Sequence, residues 1–153
     1  MMIKNLLILS FVFLYACTGY VPVFSKKTNY KFSYIELEGE KRLNQIIYKN
    51  IKNLENPDAT DVKLLGLKIN TQKIKKIQSK DSKGNANKYK MEIKSKLEFD
   101  TDKNTNTVKI FYVSEVYDDL DSQFELNKYE KKIMGSLTER LSEKIIIFLR
   151  TLE

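Results

Sequence analysis

Tyr89-Lys90-Met91-Glu92-Ile93-Lys94-Ser95-Lys96-Leu97-Glu98-Phe99 alternates without interruption: Tyr89, Met91, Ile93, Ser95, Leu97 and Phe99 fall on one side, Lys90, Glu92, Lys94, Lys96 and Glu98 on the other. Successive side chains of a strand point to opposite faces, so a strict period of two predicts a strand with one face on a core and the other toward water or a polar partner. Such a strand needs neighbours, and the flanking sequence supplies them. Residues 79–87, containing Asp81-Ser82-Lys83-Gly84-Asn85, read as a hairpin loop. Before that loop, Leu65, Leu67 and Ile69 alternate with Gly66 and Lys68, and the pattern runs on less regularly through Ile74 and Ile77. After Phe99, a second polar turn over 100–106 leads to Val108, Ile110, Tyr112 and Val116, which alternate in a further strand. Phe111 and Val113 make the other face of that strand apolar too. A strand that is apolar on both faces is either covered twice or exposes a patch that another protein or a lipid uses.

Further outward, Tyr30 to Glu38 sets Phe32 and Tyr34 on one side but Ile35 and Leu37 on the other, which predicts a first strand with a slip or bulge, ended by Gly39. From Glu40 to Leu54, Leu43, Ile46, Ile47, Ile51 and Leu54 recur at helical spacing and leave Lys41, Asn44, Lys49 and Lys52 toward water. Asn56-Pro57-Asp58 stops this helix, because proline cannot extend the ladder and disfavours helical geometry in the residue before it. A long closing helix follows from the stripe Leu126, Tyr129, Ile133, Leu137, Leu141, Ile145 and Phe148, with Gly135 marking close packing or a small bend. The order β-α-β-β-β-α predicts an α+β two-layer sandwich, a mixed four-stranded sheet with two helices on one face. The uncovered face is the candidate working surface.

Composition narrows the chemistry. The chain has 153 residues, 42% of them apolar, one cysteine and no histidine. That length supports one core. Nucleophilic triads built on histidine, Cys–His pairs and nearly every zinc arrangement need an imidazole or a soft ligand that is not available. Asp118, Asp119 and Asp121 cluster before the closing helix and are the one acidic group worth weighing for carboxylate catalysis. A turn and helix N-cap is the preferred reading of the three, since aspartate is among the best capping residues. No catalytic residue, metal ligand or cofactor is assigned.

The N-terminal segment fixes a compartment. Leu6 to Leu14 is uncharged and follows Lys4, the length of a signal-peptide core and too short to span a bilayer. It runs into Leu14-Tyr15-Ala16-Cys17, which supplies a small residue before a cut and a thiol after it and so resembles the bacterial lipobox. The expected organisation is a lipoprotein signal peptide over 1–16, a lipidated tether over 17–29 and a single domain over 30–153. Cys17 is the expected lipid attachment site; a plain secretory signal with an incidental cysteine is the alternative. Several acyl chains hold a protein on a bilayer, at about 0.8 kcal/mol per buried methylene, where one chain does not. Thr18, in place of aspartate, favours the outer membrane by resemblance to sorted lipoproteins, which puts the domain on its periplasmic side. Export excludes nucleic acid as a partner. Loss of Lys4 with the leader takes the net charge from +7 to +6, a bias toward anionic partners.

Cys17, the following Gly19-Tyr20-Val21-Pro22-Val23-Phe24, the element order, Arg42, Gln45 and Asn50 along the first helix and Phe124-Glu125-Leu126 opening the last one together resemble the LptE family of lipopolysaccharide-assembly lipoproteins. The resemblance is to the divergent form with a Gly-Tyr-x-Pro segment after the anchor, and Thr18 is an insertion relative to it. It implies a non-enzymatic protein that plugs the outer-membrane β-barrel LptD, supports its assembly and contacts lipopolysaccharide on its way to the surface. Lipopolysaccharide joins phosphates to an acylated base, so a binder needs cations beside an apolar surface. Lys90, Lys94 and Lys96 offer cations on the face of the third strand. Lys73, Lys75, Lys76, Lys80, Lys83 and Lys88 extend them around the hairpin, where Lys76 and Lys88 are further candidate contacts for lipopolysaccharide or the barrel. Read singly, each of these lysines is also an ordinary solvated residue.

Two other functions compete. A tethered activator of a cell-wall synthase would need reach, and a tether of roughly a dozen residues spans at most about 40 Å. A hydrolase of envelope polymers would rest on Asp118, Asp119 and Asp121 alone.

Overall fold

A computed structural model describes residues 28–58, 62–101 and 107–152, with the Thr101 side chain excepted. The expected signal peptide, Cys17 and all of the tether but Thr28 and Asn29 lie outside the described residues. The elements are β1 (Tyr30–Gly39), α1 (Lys41–Lys52), β2 (Lys63–Lys80), β3 (Ala86–Thr101), β4 (Thr107–Asp118) and α2 (Gln123–Arg150). The fold is α+β in the order β-α-β-β-β-α, with the strands side by side as β1-β2-β3-β4. β1 and β2 run parallel across the α1 connection, and the other pairs are antiparallel.

The alternation from Tyr89 to Phe99 decides which side is core. Met91, Ile93, Ser95, Leu97 and Phe99 are buried, joined by Leu65, Leu67 and Ile69 of β2 and Val113 and Tyr117 of β4. Against them pack Leu43, Ile47 and Ile51 of α1 and Leu126, Ile133, Leu137, Leu141, Ile145 and Leu149 of α2. Each such side chain contributes about 1.5–3 kcal/mol by leaving water. Near the end of α2, Phe148 sets its ring against Phe99 and Phe111, with centroids 5.4 and 5.6 Å away.

β1 contains the irregularity its sequence announces. The register with β2 shifts between Phe32 and Tyr34, so Phe32, Ile35 and Leu37 stand beside Leu65, Leu67 and Ile69 while Tyr34 stands beside Gly66 on the opposite face. The extra residue is Ser33. Thus Phe32 does not share a side with Tyr34; the bulge puts Phe32 on the helix side with Ile35 and Leu37.

Three expectations change on inspection. Asn44 does not face water: it is buried, its Nδ2 donates to the Glu38 carbonyl at 2.8 Å, and its Oδ1 accepts from Thr71 Oγ1 at 2.7 Å. This pairing makes an amide tolerable among Leu43, Ile47 and Ile51, since a buried polar group is costly only when unpartnered. The N-cap of α2 is Ser122, whose hydroxyl accepts from Glu125 N, and none of the three aspartates holds that place. Around Gly135 a Cβ would meet nothing within 4 Å, so close packing is not the reason for that glycine.

The start of the domain is pinned. Thr28 donates both its backbone N–H and its hydroxyl to the Leu54 carbonyl, at 2.8 and 3.1 Å. Glu55 accepts the Phe32 amide at 2.8 Å and pairs with Lys52 at 2.7 Å. Although burial raises the affinity of the Glu55 carboxyl for a proton, these two donors outweigh it and hold the carboxyl below the usual range.

Candidate functional site: the uncovered sheet face

With α1 and α2 on one side of the sheet, the other side carries the residues of opposite parity. Pairing places them in rungs. Lys68, Glu98 and Val108 share one; Asn70, Lys96 and Ile110 the next; then Gln72, Lys94 and Tyr112; then Ile74, Glu92 and Ser114; then Lys76, Lys90 and Val116. Lys88 lies one step beyond, opposite Asp118.

The lysines of this face do not form a free cationic row. Lys96 pairs with Glu98 at 2.6 Å and Lys90 with Glu92 at 3.6 Å, both along the same strand. Lys88 pairs across to Asp118, and Lys68 holds Glu38 at 2.8 Å. The Lys68 ammonium and the Asn70 amide push the Glu38 carboxyl below its ordinary range, and Glu38 in turn raises Lys68. Lys94 and Lys76 have no carboxylate partner among the described residues. Of the five candidate lysines, then, Lys94 and Lys76 keep an uncompensated charge, and Lys90, Lys96 and Lys88 share theirs.

Lys94 stands beside an apolar part of the surface. Val108, Ile110, Tyr112 and Val116 line β4 with about half or more of each side chain in water, Tyr112 reaching 64%. A depression of about 180 Å³ opens between Asn70, Gln72, Lys94, Lys96 and Ile110. The two faces of β4 differ in exposure among the described residues. Phe111 and Val113 pack under α2, and the opposite row is left uncovered among the described residues. At the other margin Tyr34 lies across Gly66, where a Cβ would come within 2.4 Å of the ring. The face is thus an amphipathic surface: apolar along β4, mixed in charge along β3 and β2, and capped by an aromatic ring at β1.

Of the hairpin lysines, Lys75 goes elsewhere. Lys75 points to the helix side, where its ammonium pairs with Glu130 and sits 4.0 Å from the centre of the Tyr89 ring. Glu130 also accepts the Tyr117 hydroxyl at 2.8 Å. Burial and that acceptor push the Tyr117 phenol well above its ordinary range. Asp118 is taken by Lys88, and the Asp119 amide donates to the Asn87 carbonyl, so this cluster serves the end of the β3–β4 ladder. Among the described residues no group of three His, Cys, Asp or Glu side chains is placed to hold a metal, and no helix is long and apolar enough to cross a membrane.

This architecture superposes on solved structures of bacterial lipoproteins. The rare lipoprotein B of Shewanella oneidensis aligns with a TM-score of 0.53 at 15% identity, over 78% of this chain and 98% of that one. The fold is that of rare lipoprotein B. An uncharacterized lipoprotein B from Nitrosomonas europaea aligns with a TM-score of 0.57 at 11% identity, covering 84% of this chain and 88% of that one. A minor lipoprotein from Acinetobacter baumannii gives 0.56 at 12%, covering 82% and 90%. At such identities the likeness is one of backbone architecture. No protein-family model and no curated protein matches the sequence.

Proposed function

We propose that this protein is a lipoprotein, acylated at Cys17 and held on the periplasmic face of the outer membrane, that seats in an LptD-type β-barrel, supports its assembly and helps pass lipopolysaccharide to the cell surface. One observation carries the reading: the domain shares its fold with bacterial lipoproteins, and the same chain independently bears Leu14-Tyr15-Ala16-Cys17 behind an uncharged apolar run. The uncovered face supports it on physical grounds. An acylated, phosphorylated glycolipid needs hydrocarbon contact beside a cation, and Ile110 and Tyr112 flank Lys94. The role requires no chemistry from the protein, only a shaped and anchored surface.

Affinity purification of the full chain from detergent-solubilised outer membranes is expected to recover a large β-barrel, and depletion is expected to lower surface lipopolysaccharide and leave that barrel misassembled. Recovery of cell-wall enzymes without a barrel would overturn the assignment. Mass spectrometry of the mature N-terminus is expected to find acyl chains on Cys17.

A further inference from the structure

The edge of a sheet carries backbone N–H and C=O groups with no strand to bond, and folded proteins cover or guard them. Along β1, Glu55 accepts the outward Phe32 amide; along β4, Lys144 of α2 reaches the Tyr112 carbonyl at 3.3 Å. A third stretch of edge lacks such a guard. β1 stops at Gly39, opposite Thr71, while β2 continues to Lys80. Lys63 N donates to Asn29 O and Glu40 N donates to Thr71 O, so the odd-numbered residues of β2 turn their backbone groups toward the β1 side. The same alternation directs the N–H and C=O groups of Lys73, Lys75 and Ile77 outward, where no described strand lies. All three residues are exposed.

The surroundings select a kind of occupant. An open cleft of about 540 Å³, between Gly39–Lys41 and Thr71–Ile74, marks where β1 departs and a further strand would enter. Lys41, Lys73, Lys76 and Lys80 flank this edge, and none has an ion-pair partner among the described residues. Lys73 stands on the helix side of the sheet and Lys76 on the open side, so an added strand would meet a cation on either face. A second copy of this edge fits poorly. Two-fold antiparallel pairing centred on Lys75 would set that lysine against its own counterpart, and centred on Ile74 it would set Lys73 of each copy against Lys75 of the other; like charges directly opposite destabilise a ladder.

We infer that the Gln72–Ile77 edge of β2 accepts an extended, acidic segment of another protein chain as an added strand in line with β1. Main-chain hydrogen bonds supply the affinity, over roughly 20 Å of strand, and the lysines select acidic side chains. The surface is distinct from the open face, and the inference stands apart from the barrel and lipopolysaccharide reading.

The test titrates the full chain in detergent with a synthetic peptide alternating Glu and Val, and with two versions N-methylated on either alternate set of backbone nitrogens. Only one set faces β2 in an added strand, so one methylated peptide is expected to bind like the parent and the other at least tenfold more weakly. Exchange of the Lys73, Lys75 and Ile77 amide hydrogens is expected to slow at least tenfold on binding. Lys73→Pro removes an outward N–H without touching the ladder to β3 and is expected to weaken binding at least tenfold. Equal binding of both methylated peptides would reduce the effect to charge attraction and overturn the inference, even if Lys73→Pro failed to fold. So would protection of the same amides by self-association without peptide, or by lipopolysaccharide micelles but not by peptide.

Discussion

At Gly39 the backbone φ is +88°, a conformation side-chain-bearing residues rarely adopt, and a Cβ there would lie 2.0 Å from the Thr71 carbonyl oxygen. Gly84, in the β2–β3 turn, has nearly the same φ of +87° but open space around it. The pair separates strain from overlap. Gly84→Ala is expected to cost about 1–2 kcal/mol, the penalty of the left-handed conformation, and Gly39→Ala about 1–3 kcal/mol more, because a carbonyl cannot swing aside as a side chain does. Urea unfolding of both variants checks this; equal losses would mean that β1 does not end where Thr71 stops it. Residues also show where sequence reading succeeds and fails. The mismatch between Phe32-Tyr34 and Ile35-Leu37 announced the bulge because one extra residue inverts a period of two. Asn44 reads from sequence as a solvent-facing residue because its polarity outweighs its position, although it falls at helical spacing with Ile47 and Ile51. Its partner Thr71 comes from another element, and no local pattern points to it.

Among the elements, β4 has two apolar faces with different fates, and mutation distinguishes them. Ile110 is half exposed and Val113 is buried under α2. Ile110→Ser is expected to shift stability by no more than about 0.5 kcal/mol, whereas Val113→Ala should cost about 2 kcal/mol through lost burial and the cavity left behind. Thermal or urea unfolding reads both. If Ile110→Ser were as damaging as Val113→Ala, the exposed row would belong to the core and not to a working surface. Alternation alone made β3 legible, together with the face it buries. The pairing of Lys90 with Glu92 and of Lys96 with Glu98 is not among the expectations from sequence, although residues two apart on a strand share a face about 7 Å apart. A count of lysines concealed it. The helix cap was harder: three aspartates and a serine compete within five positions, and the signal that favours Ser122 is Glu125 three residues on, whose amide donates to the Ser122 hydroxyl.

For the molecule as a whole, the sequence predicted the layers and the element order. It left open how far β2 outruns β1, because strand length at an edge is set by the neighbour and not by the strand. That overhang is also where the clasp between sheet and helix sits, with Lys75, Glu130 and Tyr117 joining β2, α2 and β4. The phenol of Tyr117 holds its proton more tightly in the folded protein than in the unfolded chain. Its contribution is therefore complete below the unfolded value near 10 and is lost as pH rises above it. Urea midpoints measured from pH 8 to 11 are expected to fall at the alkaline end, and to fall less steeply in Tyr117→Phe. An unchanged slope in that variant would show that the clasp plays no part in alkaline unfolding. The opposite end of the domain is built for a different demand. Thr28 is fastened to Leu54, and β1 runs from there parallel to β2. Tension applied ahead of Thr28 pulls along the axis of β1 and tries to slide it past its neighbour, so the bonds between Tyr30 and Gly39 bear the load together instead of parting one at a time.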